Sequence, residues 1–183
     1  MRISPNFYVI CVLSIFLLTG CNNDSGDSVI KTCVSDFILH PLDNSGSEPV
    51  VSGNNSFPKD AYILSIEMKL DSRPSDDFYS YTKTELTNPI TSIRIISLTE
   101  FNEYYPAGSD ITVLFRQYPV AIRYPLHDYT MEGEPIVFMD YYNGYFYKAL
   151  LAPPTAGTHV FQVRMIFQSG LILTKETEPA EFY

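Results

Sequence analysis

Three histidines, three cysteines and one Tyr-rich stretch hold most of the chemistry open to this 183-residue chain. His40, His127 and His159 are far apart, and no Cys/His set has metal-ligand spacing. His127-Asp128 places an imidazole beside a carboxylate, the pairing that acid–base catalysis uses. A single adjacent pair is common by chance, so an ordinary loop is expected there. His159 stands at a strand start in phase with a core face and is expected as a satisfied inward-facing or edge residue. Asp43-Asn44-Ser45-Gly46-Ser47-Glu48 carries oxygen donors at alternate positions with a Gly, a composition that suits calcium. It lacks the full loop and its final bidentate Glu, so a solvated turn is expected, with Asp76-Asp77 adding to a site only if folding brings them near. No Gly-x-Ser-x-Gly elbow, P-loop or His-Glu-x-x-His occurs. The expectation is no catalytic residue, no metal and no cofactor.

The positive hint is Asp140-Tyr-Tyr-Asn-Gly-Tyr-Phe-Tyr-Lys148. Asn143-Gly144 suits the two positive-φ positions of a type I′ turn. A hairpin over Glu134 to Leu151 would pair Tyr142 with Tyr145 and Tyr141 with Phe146. Half of its aromatics would then face away from the core. Tyr141, Tyr142, Tyr145 and Tyr147 are the candidate ligand-binding residues, because a tyrosine offers a flat apolar face and a hydroxyl to a sugar ring or a protein partner. The competing structural role is that both faces are covered, one by a facing sheet and one by the 71–90 or 98–108 excursion.

The elements that must position these residues are strands. Thirteen Pro, fourteen Tyr and twelve Phe accompany β-branched runs cut by turn residues, the pattern of an all-β domain. Val34 to Leu39 is a first strand, and Pro41 to Lys59 a loop. Ala61 to Leu70 alternates, with Tyr62, Leu64, Ile66, Met68 and Leu70 on one face and Ile63, Ser65, Glu67 and Lys69 on the other, largely wet face. Asp71 to Asn88 is a polar excursion. Strands follow at Thr91 to Leu98, Ile111 to Arg116 and Val120 to Arg123. Ser97 to Glu100 has capping-box form, so a short helix over Leu98 to Tyr105 is an alternative. His159 to Gln168 is a long alternating strand, with Ser169-Gly170 turning it into a last one. About eight or nine strands are expected, packed as a two-sheet β-sandwich.

The start of the chain decides its compartment. Arg2 precedes Phe7 to Leu18, about twelve apolar residues. As a helix these would span roughly 18 Å, short of the ~30 Å hydrocarbon core. A basic start, a short apolar centre and small residues form an export signal, residues 1–20, rather than a membrane span. Residues 21–33 read as a flexible tether and 34–183 as a single domain. The net charge of −9 becomes about −10 without Arg2; such a surface repels nucleic-acid phosphates. Cys33 remains after Cys11 and Cys21, so no intrachain disulfide is available, and it is expected as a tucked-in small side chain near the domain edge.

Leu18-Thr19-Gly20-Cys21 resembles the lipobox of bacterial lipoproteins. The resemblance implies cleavage before Cys21, acylation of its thiol and attachment to the membrane through that lipid. Pro154-x-x-Gly157-x-His159 resembles the lead-in to the penultimate strand of immunoglobulin-like and fibronectin-like sandwiches, although the paired Cys and the Trp of true immunoglobulin domains are absent. With PLDNSGS before AYILSIEMKL and the final AGTHVFQVRMIF, the whole chain resembles lipoproteins of Bacteroidetes-type bacteria that carry no assigned activity. That resemblance implies an immunoglobulin-like β-sandwich on the bacterial cell envelope, at the outer membrane on its periplasmic face or at the cell surface. The function expected is a non-enzymatic interaction module for a glycan or an envelope protein, or else a structural or assembly subunit of a surface complex.

Overall fold

A computed structural model describes residues 29–71, 83–118, 136–140 and 145–183. Among them every regular element but one is a strand. The order is β1 (Val29–Thr32), β2 (Val34–Asp43), β3 (Val50–Val51), β4 (Ser56–Phe57), β5 (Tyr62–Leu70) and β6 (Lys83–Ser97), then a 3₁₀ turn at Thr112–Leu114. There follow β7 (Phe115–Gln117), β8 (Ile136–Asp140), β9 (Tyr145–Leu150), β10 (Gly157–His159), β11 (Phe161–Phe167), β12 (Ile172–Glu176) and β13 (Ala180–Phe182). The chain is all-β over this span, and no helix among the described residues is long and apolar enough to cross a membrane.

Three sheets form. In one, β3-β2-β5-β9-β7 lie side by side, with every pairing antiparallel. In another, β6 pairs along one edge with β1 and then β11, while β8 takes its other edge and β12 extends β11. Pro89 marks the change of partner within β6. It has no N–H to give a ladder, and its carbonyl accepts from Gln168 N–H at 2.9 Å. The third, small sheet is β10-β13-β4. All three share one core. Tyr62, Leu64, Ile66 and Met68 of β5 meet Phe161, Val163, Met165 and Phe167 of β11, and Phe57, Ala180 and Phe182 join them from the small sheet. Period-two alternation sends one face of each strand inward, and burying each such side chain contributes about 1.5–3 kcal/mol.

Several expectations require correction. Among the described residues, the strands of the hairpin expected over Glu134 to Leu151 do not pair with each other; its Tyr142–Tyr145 and Tyr141–Phe146 pairs involve residues outside the described set. Met139 and Phe138 would have to pair with Lys148 and Ala149, but both edges of those two residues are taken, by Leu64 and Ile63 of β5 and by Gln117 and Arg116 of β7. β8 pairs with β6 in the other large sheet instead, so the pairings of β9 with β5 and β7 outweigh the local turn signal. The Pro41–Lys59 loop begins later than expected, because β2 runs on to Asp43, and it contains β3 and β4. The polar excursion ends sooner, since Lys83–Asn88 belongs to β6. Ile111 to Arg116 is a 3₁₀ turn followed by β7. There are thirteen strands in the described span rather than eight or nine.

No helix follows Ser97 either. The Ser97 and Leu98 amides donate to Ser109 and Val160 carbonyls at 3.0 and 2.8 Å, and the Ser97 hydroxyl donates to Thr99 O at 2.8 Å. The Ser97 hydroxyl thus bonds a carbonyl, where a capping box would have it accept a backbone N–H. Asn102 Oδ1 instead accepts from the Tyr104 and Tyr105 amides, which closes a turn and leaves Phe101 fully buried. Val120–Arg123 lies outside the described residues.

Candidate functional site

On the face of β5 turned away from the core, the ladder registers bring distant residues into rows. His40 of β2, Ser65 of β5 and Tyr147 of β9 form one row; Ile38, Glu67 and Tyr145 form the next. Directly opposed residues have Cβ atoms about 5 Å apart and diagonal ones remain within reach of long side chains. The diagonal is used here: His40 Nε2–H donates to Glu67 Oε2 at 3.0 Å. Along β5, Lys69 Nζ donates to Glu67 Oε1 at 2.8 Å. The Glu67 carboxylate is thus held at both oxygens while its side chain keeps 16% exposure.

The Tyr145 and Tyr147 rings stand nearly parallel, 24° apart with centroids at 6.2 Å. Alternation aims both away from the core while Phe146 between them is buried. Tyr145 is 40% exposed. Burial raises the Tyr147 phenol above its ordinary pKa, the neighbouring Tyr145 phenol adds to this, and a hydrogen bond with Ser65 works against it. Tyr118 extends this face: its N–H donates to Tyr147 O at 2.8 Å and its hydroxyl to Asn44 Oδ1 at 3.3 Å. With the 47–51 segment, these side chains line an open groove of about 750 Å³. The same cover corrects the expected wetness of this face, since Ile63 and Ser65 are buried.

Favourable hydrogen bonds from Lys69 and then His40 hold the Glu67 carboxyl below its usual pKa, against the opposing effect of burial. The groove therefore presents an ionised, pre-positioned acceptor beside an aromatic pair. No lysine or arginine is among its described lining residues, whereas Glu48 and Glu67 are. Sequence reasoning singles out Tyr145 and Tyr147 but passes over Ser65, Glu67, His40 and Tyr118 as partners. The alternation of β5 already put Ser65 and Glu67 on one face; only the registers with β2 and β9 say what stands beside them.

The other candidates separate. Tyr141, Tyr142, Cys21, Asp76-Asp77 and His127-Asp128 lie outside the described residues. His159 is buried: its Nε2–H donates to Thr155 O at 2.9 Å, so its Nδ1 accepts from the Thr99 hydroxyl at 3.2 Å. That satisfies both ring nitrogens, and the ring packs among Phe101, Phe161 and Phe182. The Cys33 thiol is half-buried and donates to Asp71 Oδ2 at 2.6 Å. That bond, burial and the Asp71 charge raise its pKa and suppress the thiolate. Asp43 Oδ1 accepts the Ser45 amide at 2.8 Å, closing the turn that the oxygen-rich run forms. Among the described residues, no three His, Cys, Asp or Glu are grouped as metal ligands.

A protein-family model described as Domain of unknown function (DUF5034) matches residues 34–178. No curated protein and no solved structure matches the chain.

Proposed function

We propose that this chain, which belongs to the DUF5034 family, is a lipid-anchored protein of the bacterial cell envelope and a non-enzymatic binding module for an envelope glycan. The single observation that carries the reading is the Tyr145–Tyr147 pair beside the fixed Glu67 carboxylate in one groove. Sugar rings present C–H faces that pack on aromatic rings and hydroxyls that need acceptors and donors. Tyr145, Tyr147, Ser65 and Glu67 supply both. An immunoglobulin-like sandwich is the fold reading that suits two five-stranded sheets around a common core. Anchoring at Cys21, on the outer membrane and facing periplasm or exterior, draws its support from the Leu18–Cys21 motif and the apolar run before it.

Immobilised envelope polysaccharide tests the groove. Wild-type protein is expected to be retained, and Tyr145→Ala with Tyr147→Ala to weaken retention about tenfold, the worth of ~1.4 kcal/mol. Unchanged retention would remove the groove from the account. For the anchor, Cys21→Ser is expected to move the protein from the detergent phase to the aqueous phase on phase partition.

A second reading, an assembly subunit of a surface complex, has its own observation. β12 pairs on one side only among the described ladders, and Leu171 and Ile172 are about half exposed beside that edge. A partner strand could add there. Stable co-purification with a large complex, without any glycan affinity, would favour it.

A further inference from the structure

Resting on the binding-module reading above, we propose that the groove selects an uncharged glycan, whose neighbouring hydroxyls donate to the two oxygens of Glu67 while a ring face lies on Tyr145. The charge of the lining supports this choice of occupant. Glu48 and Glu67 are the carboxylates among its described lining residues, which include no lysine or arginine, and the Lys69 ammonium beside the groove is spent on Glu67 Oε1. A uronic acid, phosphate or sulfate would approach carboxylates with no free cation among the described lining residues to receive it, and like-charge juxtaposition of this kind suppresses wrong partners.

The hydrogen-bonding state of Glu67 narrows the chemistry further. An ionised carboxylate has about four acceptor sites and no donor. Lys69 occupies one on Oε1 and His40 one on Oε2, so each oxygen keeps acceptor capacity. The unmet need is for donors in pairs, about as far apart as two carboxylate oxygens, and two neighbouring sugar hydroxyls fit it. A basic peptide would also supply donors. Lys69 already offsets the charge of Glu67, which leaves Glu48 as the lining carboxylate that would attract such a peptide, and oligolysine enters the test below for that reason. Tyr145 then sets the orientation, because it is the cross-strand neighbour of Glu67 and its ring is exposed. Val51, 70% exposed on the short β3, adds an apolar lip on the far side.

The experiment is affinity electrophoresis of the full-length protein in detergent through gels containing one polymer each. The neutral set is mannan, dextran, laminarin and the uncharged fraction of envelope polysaccharide from anion exchange. The charged set is polygalacturonate, the acidic envelope fraction and oligolysine. Retardation is expected from at least one neutral polymer and from no charged one. Glu67→Gln, nearly the same shape, is expected to weaken that retardation about tenfold or more, as is Tyr145→Ala; an unchanged far-UV circular dichroism spectrum and a single cooperative urea transition certify each fold. If only an acidic polymer or only oligolysine retards the protein and Tyr145→Ala abolishes the effect, selection for a neutral glycan is wrong but the groove still binds. If no polymer retards it, or Tyr145→Ala changes nothing, the binding-module reading falls as well.

Discussion

Glu67 and Tyr62 lie on opposite faces of one strand, and their side chains meet opposite conditions. The hydrogen bonds of Lys69 and His40 lower the Glu67 pKa in the folded state, so folding favours its ionised form. A carboxyl lowered in this way stabilises the fold above its unfolded value, about 4.3, and loses that contribution as pH falls through the lower folded value. Asp36 shifts in the same direction because of its hydrogen bond with Lys175. The urea midpoint should therefore hold between about pH 7 and 5 and decline below about 4.5, with a shallower decline in Glu67→Gln. Tyr62 is the converse case. Its hydroxyl is buried without a partner among the described residues, while its ring packs against Phe57, Phe161 and Phe182. Desolvation of an unpaired group costs about 1–3 kcal/mol. Tyr62→Phe should thus leave stability unchanged or raise it by about 1 kcal/mol, read as an equal or higher urea midpoint; a clear loss would mean the hydroxyl is bonded.

Among the elements, the turn between β11 and β12 is legible in sequence and present as expected. Gly170 has φ of +86°, and its amide donates to Phe167 O at 2.9 Å. Ser169 next to it exchanges hydrogen bonds with Asn88 of β6. A Cβ at Gly170 would meet nothing within 4 Å, so Gly170→Ala isolates the cost of a left-handed backbone. That cost is about 1–2 kcal/mol and should appear as a lower unfolding midpoint with unchanged glycan retention. Alternation also made β5 and β11 legible. It could not reveal that β9 belongs beside β5: Asn143-Gly144 is a strong local signal for pairing the runs on either side of it, and the pairing depends on which strands have edges free. The capping-box form at Ser97 failed similarly, because the Ser97 and Leu98 amides find partners at Ser109 and Val160, which no local motif announces.

At the scale of the molecule, one cluster of apolar side chains links the three sheets. Phe161 is central to it, fully buried and in ring contact with Tyr62, Phe101, Phe115 and Phe182. Phe161→Ala should cost about 3–5 kcal/mol through lost transfer energy and the cavity left behind. Fluorescence and circular dichroism should still report one shared transition; separate transitions would show that the sheets unfold independently. The ion pair Lys175–Asp36, at 3.0 Å between β12 and β2, is about half exposed at each end and contributes less than about 1 kcal/mol. Apolar burial, not that surface pair, holds the two large sheets together.

By itself the amino-acid sequence determined the all-β character, the inward faces of β5 and β11, the turn at Ser169-Gly170 and the prominence of Tyr145 and Tyr147. These are local properties: period-two alternation, positive-φ tolerance and side-chain type. Tertiary structure alone decided that Tyr147 stands across from Ser65 and Tyr145 across from Glu67, and that His40, 27 residues before Glu67, binds it. Those relations depend on strand register across three strands, and register is set by the shared core rather than by any short stretch of residues.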